Sequence, residues 1–109
     1  MNGSFEIRQY MAENGRSPFA DWFDDLDAVT AARVHRYIRR LEAGNFGAAK
    51  SLRDGVFELR LDFGPGYRVY YGREGQTIII LLGGGSKRRQ DADIAAAVER
   101  WTRYKQRKA

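Results

Sequence analysis

The stretch Val56–Gln90, VFELRLDFGPGYRVYYGREGQTIIILLGGGSKRRQ, decides the fold of this chain. Phe57, Leu59 and Leu61 alternate with Glu58, Arg60 and Asp62, the period of a strand with one buried face. Tyr67, Val69 and Tyr71 alternate with Arg68 and Tyr70 in a second run. Phe63-Gly64-Pro65-Gly66 between them reads as a turn. Opposite residues of an antiparallel pair share a face. Setting Arg60 opposite Arg68 therefore brings Phe57, Leu59 and Leu61 beside Tyr71, Val69 and Tyr67. A slip of one residue would push Arg68 into the apolar row, so this register is favoured. Glu74-Gly75 predicts a tight second hairpin, which places Ile78, Ile80 and Leu82 on the core row with Val69 and Tyr71. The third strand, Thr77 to Leu82, is apolar on both faces and belongs inside the sheet. Gly83-Gly84-Gly85 then bends the chain into Lys87-Arg88-Arg89.

Upstream, residues 4–10 alternate weakly around Phe5 and Ile7 and give a first strand. Ser17 before Pro18 is the start chemistry of a helix. Phe19, Trp22, Phe23 and Leu26 follow at helical spacing. Asp27 can cap a second helix whose apolar face is Val34, Ile38 and Leu41, ended by Gly44. Arg33, Arg36 and Arg40 fall on its other faces. The segment with Lys50 and Arg53 reads as a loop. A last helix from about Gln90 carries Ile94, Val98 and Trp101 inward and ends in RYKQRK. The expectation is an α+β chain, β-α-α-β-β-β-α. It has one antiparallel sheet, a helical hairpin packed on one face and a C-terminal helix, all in one domain over 1–109.

Composition narrows the chemistry. The 109 residues include no cysteine and one histidine, His35, which removes disulfides and thiolate metal sites and disfavours zinc. No cofactor is expected. The longest apolar run, Ile78 to Leu82, is too short to cross a bilayer, and residues 1–15 lack a leader's apolar run. A cytoplasmic protein without a membrane partner is expected. Residues 1–49 hold six Arg and seven acidic residues; residues 50–109 hold thirteen Lys/Arg and seven acidic residues. The basic second half suits an anionic partner: RNA, DNA or an acidic protein.

If the helices cover the Phe57/Leu59/Val69 face, the other face exposes Glu58, Arg60, Arg68 and Tyr70. Two arginines opposite one another repel unless an anion sits between them. The planar guanidinium suits phosphate. Lys87, Arg88 and Arg89 leave the third strand near this face, and Lys50 and Arg53 enter near it. Arg60, Arg68 and Lys87 are the candidate catalytic cations. Lys50, Arg53, Tyr70, Arg88 and Arg89 are the candidate RNA-binding residues. Cleaving RNA through its own 2′-hydroxyl needs a base, a cation on the pentavalent phosphate and an acid for the 5′-oxygen. Glu58, Lys87 or Tyr70 could carry a proton. Salt bridges of Arg60 or Arg68 to Glu58 or Asp62 are the plainer alternative. No G-x-x-x-x-G-K-[ST] loop accompanies the glycines.

The order FADWFDDLD, ELR, GPGYRVYY, LLGGGSKRRQ and an Ile-Ala-rich helix resembles the RelE/ParE toxin superfamily across nearly the whole chain. Within it the chain most resembles the HigB-like, phage-related "addiction module killer protein" branch. The resemblance implies a RelE-like fold. It also implies a toxin held inactive by a cognate antitoxin with a helix-turn-helix DNA-binding domain, through which alone operator DNA is met. It implies metal-independent cleavage of mRNA on the ribosome and growth arrest. The arginine of the family's GYR segment is Arg68 here; the strand-face cation matches Arg60, and the basic residues after the last strand match Lys87 and Arg88. The late tyrosine of some members has no equivalent: Asp91, Asp93 and Ile94 follow Arg89, and the general base is unassigned. ParE-like relatives of the same fold inhibit DNA gyrase without nuclease chemistry, and a component that only binds its antitoxin is a third reading.

Overall fold

The computed structural model describes residues 4–109. The chain runs β1 (Glu6–Gln9), α1 (Pro18–Asp24), α2 (Ala28–Glu42), β2 (Ala49–Ser51), β3 (Val56–Arg60), β4 (Arg68–Glu74), β5 (Ile78–Gly85), a 3-10 turn (Lys87–Arg89) and α3 (Gln90–Lys108). The strands form one sheet in the order β1-β5-β4-β3-β2. This is an α+β architecture compatible with the RelE-like fold. Among the described residues no helix is long and apolar enough to cross a membrane.

Local chemistry sets the helix starts. The Ser17 hydroxyl accepts from the Ala20 N–H at 3.0 Å, with Pro18 in the first turn of α1. The Asp27 carboxylate accepts from the Thr30 N–H at 2.8 Å and caps α2. Each bond satisfies a backbone donor that the helix itself leaves free.

The β3–β4 register is the expected one: Phe57 faces Tyr71, Leu59 faces Val69 and Arg60 faces Arg68. The Phe57 and Tyr71 rings stack at 5.4 Å, and burial pushes the Tyr71 phenol up to about 12. Three features differ from expectation. The sheet is mixed, because β1 lies parallel to β5, with Glu6 opposite Ile78 and Gln9 opposite Leu81. The segment holding Lys50 is an edge strand, with Lys50 opposite Glu58. Its turn is Asp54-Gly55, at φ 56° and 85°. Both residues are central to a turn closed by the Val56 N–H donating to the Arg53 carbonyl at 3.1 Å, and the Ser51–Phe57 register leaves Arg53, Asp54 and Gly55 as the connection.

The third difference concerns β5. Glu74 pairs with Ile78 across Gly75, Gln76 and Thr77, so the connection is longer than a two-residue turn. This slip is odd-numbered and exchanges the strand's faces. Ile79 and Leu81, not Ile80 and Leu82, join Leu59, Val69 and Tyr71 beneath α1 and α2. Ile80 and Leu82 face the opposite way, with Tyr10, Val56, Tyr70, Ala97 and Trp101. A bulge where Tyr70 faces Gly83 but Tyr71 faces Leu81 restores the pairing beyond Leu82. β5 is thus interior, as its composition requires, but both of its faces are roofed.

The second roof is α3. Trp101 is only 5% exposed and lies flat on Gly72, where an added Cβ would come within 2.5 Å of its ring. Gly72→Ala is expected to cost about 1–3 kcal/mol through this overpacking. Urea denaturation should show a lower midpoint with an unchanged m value.

Candidate nucleic-acid interface

The sheet face beneath α3 carries two polar rows. Lys50, Glu58, Tyr70 and Gly83 are aligned across β2, β3, β4 and β5; Arg60, Arg68 and Gly85 form the next row. The expectation that this face is open is corrected. α3 crosses it, and Glu58, Arg68 and Tyr70 are 1%, 5% and 0% exposed. Tyr70 therefore offers no face to a nucleobase. Burial, then the nearby Glu58 and Asp93 charges, pushes its phenol far above the ordinary range. Its hydroxyl is a buried atom without a hydrogen-bond partner among the described residues.

Arg68 is held from several sides. Its Nε lies 3.5 Å from Glu58 Oε2. That distance gives charge attraction, although the Nε–H is not directed as a hydrogen bond. A terminal Arg68 nitrogen donates to the Gly66 carbonyl at 2.6 Å, and Gln90 Nε2 donates to Glu58 Oε1 at 3.1 Å. Glu58 offsets the repulsion between Arg60 and Arg68, so the arginine pair needs no ligand for its stability. The salt-bridge role foreseen for Arg68 is realised in a buried setting, where removing one partner is far more costly than at a surface.

The remaining cations surround this buried pair. Arg60 ends β3 and is exposed, and Lys50 is exposed beside it on β2. Lys87 is exposed in the 3-10 turn. Its N–H donates to the Pro65 carbonyl at 3.3 Å, and an added Cβ on Gly66 would sit 3.2 Å from Lys87 Cβ and 3.1 Å from an Arg68 terminal nitrogen. The Gly64-Pro65-Gly66 turn thus brings Arg68 and Lys87 to one place. Arg88 and Arg89, with Lys87, Gln90, Asp91 and Ala92, line a cleft of ≈ 400 Å³. Arg53, with Leu52, Asp91 and Ile94, lines a second of ≈ 380 Å³. Asp91 borders both, so the two clefts adjoin. Arg60 thus lies opposite Arg68, Lys50 opposite Glu58 and Lys87 beside Arg68, while Arg53, Arg88 and Arg89 line the clefts that meet at Asp91.

Three residues of the site were not singled out from sequence. Gln90 fixes the outer oxygen of Glu58. Arg100 donates to the Leu82 carbonyl at 2.9 Å. Asp93 packs over Gly85, and burial raises its carboxyl above the ordinary value, against the pull of Arg89 and Arg100. The helical spacing of Asp93 with Ala97 and Arg100 held this information, once α3 was placed on the sheet.

The family described as Phage derived protein Gp49-like (DUF891) matches residues 21–104. An 80-residue stretch is 48% identical to an "Uncharacterized protein" of Haemophilus influenzae (strain KW20), covering 72% of this chain and 81% of that one.

Glu58→Ala leaves Arg68 buried without its counter-charge and should destabilise the fold by about 3–5 kcal/mol, whereas a Glu58→Leu/Arg68→Met pair should recover most of that loss in chemical denaturation. Asp93 gives a pH signature of known sign. A raised folded-state value favours the protonated carboxyl, so stability falls as pH rises above the ordinary 3.8. Asp93→Asn should flatten that limb and leave the melting temperature at pH 7 equal to or above that of the unaltered chain.

Proposed function

The chain belongs to the phage-derived Gp49-like family, and on that premise we propose that it is the toxin of a type II toxin–antitoxin module. In this reading it is a metal-independent endoribonuclease that cuts mRNA on the ribosome and is neutralised by a cognate antitoxin. The observation that carries the reading is Arg68. A guanidinium is buried, braced by Glu58 and the Gly66 carbonyl, and flanked by the exposed cations Arg60 and Lys87. A cation held this rigidly needs little reorganisation when charge develops near it.

The reaction assigned to the shelf of cations around Arg68 is an in-line displacement. The 2′-oxygen forms a bond to phosphorus as the bond to the 5′-oxygen breaks, leaving a 2′,3′-cyclic phosphate and a 5′-hydroxyl. Arg60 and Lys87 contact the phosphate, whose negative charge grows in the pentavalent state. Arg68 adds its field from beneath and touches the phosphate only through its small exposed portion. Lys50, Arg53, Arg88 and Arg89 hold flanking phosphates. Of the proton carriers considered, Tyr70 is removed by its burial, and Glu58 is committed to Arg68. Lys87, and Asp93 with its raised carboxyl, remain for the transfers from the 2′-hydroxyl and to the 5′-oxygen.

A map of mRNA 5′ ends after brief induction in bacteria tests the proposal. New ends within open reading frames, in a fixed codon register, are expected. Arg60→Ala and Lys87→Ala should each lower cleavage by about 10²–10³-fold, the usual effect of losing one charge-stabilising group. Antitoxin binding should persist in both variants. Growth arrest without new ends would overturn the nuclease reading in favour of a DNA gyrase target.

A further inference from the structure

A second basic surface lies outside this shelf, on the far side of the β3–β4 turn. Arg33, Arg36 and Arg40 are spaced three and four residues apart on α2 and project from one side of it. With Tyr37, Asp62 and Phe63 they line a cleft of ≈ 220 Å³. The Arg33 guanidinium sits 5.1 Å from the Phe63 ring centroid, and that of Arg40 sits 4.8 Å from the Tyr37 centroid. None of the three forms an ion pair among the described residues, nor does Asp62. Arg39, on the adjacent side of the helix, is by contrast tied to Glu42 at 3.2 Å. Three exposed cations close together repel one another, and two of them are already ordered on aromatic rings. A guanidinium stacked on a ring keeps its N–H edge free to meet an oxyanion.

The position of the cleft selects its occupant. Asp62 and Phe63 belong to the same turn as Pro65 and Gly66, which hold Lys87 on its other side. The Phe63 ring also packs on Tyr67 at 5.5 Å. One turn therefore separates the α2 cleft from the Lys87 shelf, and cations stand on both sides of it. Beyond the other end of α2, Asp24, Asp25 and Asp27 are exposed. A polyanion on Arg33, Arg36 and Arg40 is repelled from that end and favoured towards the turn and Lys87. Cations interleaved with aromatic rings along a groove are the chemistry of single-strand binding.

We propose that the cleft between α2 and the β3–β4 turn is a second RNA-binding site, holding the phosphate backbone of the same single strand that reaches Arg60 and Lys87. The proposal deepens the nucleic-acid reading above and rests on it for the direction of the strand. It does not rest on cleavage, since binding alone reads it out.

The test is fluorescence anisotropy of a labelled oligouridylate with the full chain over a range of salt concentrations. Each phosphate neutralised on a single strand contributes about 0.7 to the slope of log affinity against log salt. Arg33→Ala/Arg36→Ala/Arg40→Ala should reduce the slope by about 2 and weaken binding at low salt. The corresponding lysine triple keeps the charge and should restore the slope, which separates lost charge from lost fold. An unchanged slope in the alanine triple overturns the proposal, as does an equal loss in the lysine triple. A labelled oligoglutamate that binds more tightly than the RNA, and is released by the alanine triple, would also overturn it and assign the cleft to an acidic protein segment. If induction produces no mRNA cuts but the slope falls as expected, the nuclease reading fails and this site stands.

Discussion

The burial of β5 on both faces is the constraint from which the rest of the architecture follows. Ile79 and Leu81 point one way, Ile80 and Leu82 the other, and all four are almost fully shielded from solvent. A strand of this kind cannot sit at a sheet edge or face water on one side. It is flanked by β4 and β1, and it needs apolar cover above and below. α1 and α2 supply one cover and α3 the other. Two close approaches record the fit: Trp22 packs onto Gly84 on one face, and Trp101 onto Gly72 on the other. The second cover has a chemical consequence, because α3 must cross the face that also carries Glu58, Arg68 and Tyr70.

That crossing turns a charged strand face into a buried ion pair. Withdrawing Glu58 and Arg68 from water is unfavourable, and their mutual attraction offsets it only with good supporting bonds. The support is visible in Gln90 on Glu58 and in the Gly66 carbonyl on Arg68. Such a pair is a poor source of stability compared with apolar packing, but it fixes a positive charge in position. Arg60 and Lys50 lie beyond the cover of α3 and stay exposed. The result is graded, with a buried, braced cation below and exposed cations at the rim.

Much of this was legible in the sequence wherever neighbouring residues decide the outcome. The caps at Ser17 and Asp27 and the Arg60–Arg68 register follow from local spacing. So does the interior position of β5, since a run apolar on both faces admits no other. The errors arose where one residue of turn length or a distant partner decides. Counting a two-residue turn at Glu74-Gly75 reversed the faces of β5, because the side-chain period of a strand is two. Asp54-Gly55 is itself a turn signal, and it lies in the β2–β3 connection. The β1–β5 pairing joins segments about seventy residues apart, and its parallel sense has no local signature. The placement of α3 is equally non-local, and on it depended the exposure of Glu58, Arg68 and Tyr70. The cations of this sheet face could therefore be named from the sequence, while their depth could not.

The depth matters because α3 serves as both cover and wall. Its far end is tied down: the Tyr104 hydroxyl donates to Glu74 at 2.6 Å, Arg107 donates to the Met11 carbonyl at 2.7 Å, and Lys108 lies 3.6 Å from Glu74. Trp101 on Gly72 sets the helix's rotation, and Arg100 on the Leu82 carbonyl sets its height along the strand. With the helix fixed at these points, its first turns have little freedom. Gln90 must meet Glu58, Asp93 must cover Gly85, and Asp91 must stand between the two clefts. A loop could present the same side chains with greater reach but less definition. Carrying them on the first turns of a packed helix links the position of the shelf cations to the apolar packing of the sheet. A substitution in the Trp101 contact can thus reach the cationic shelf without touching a charge.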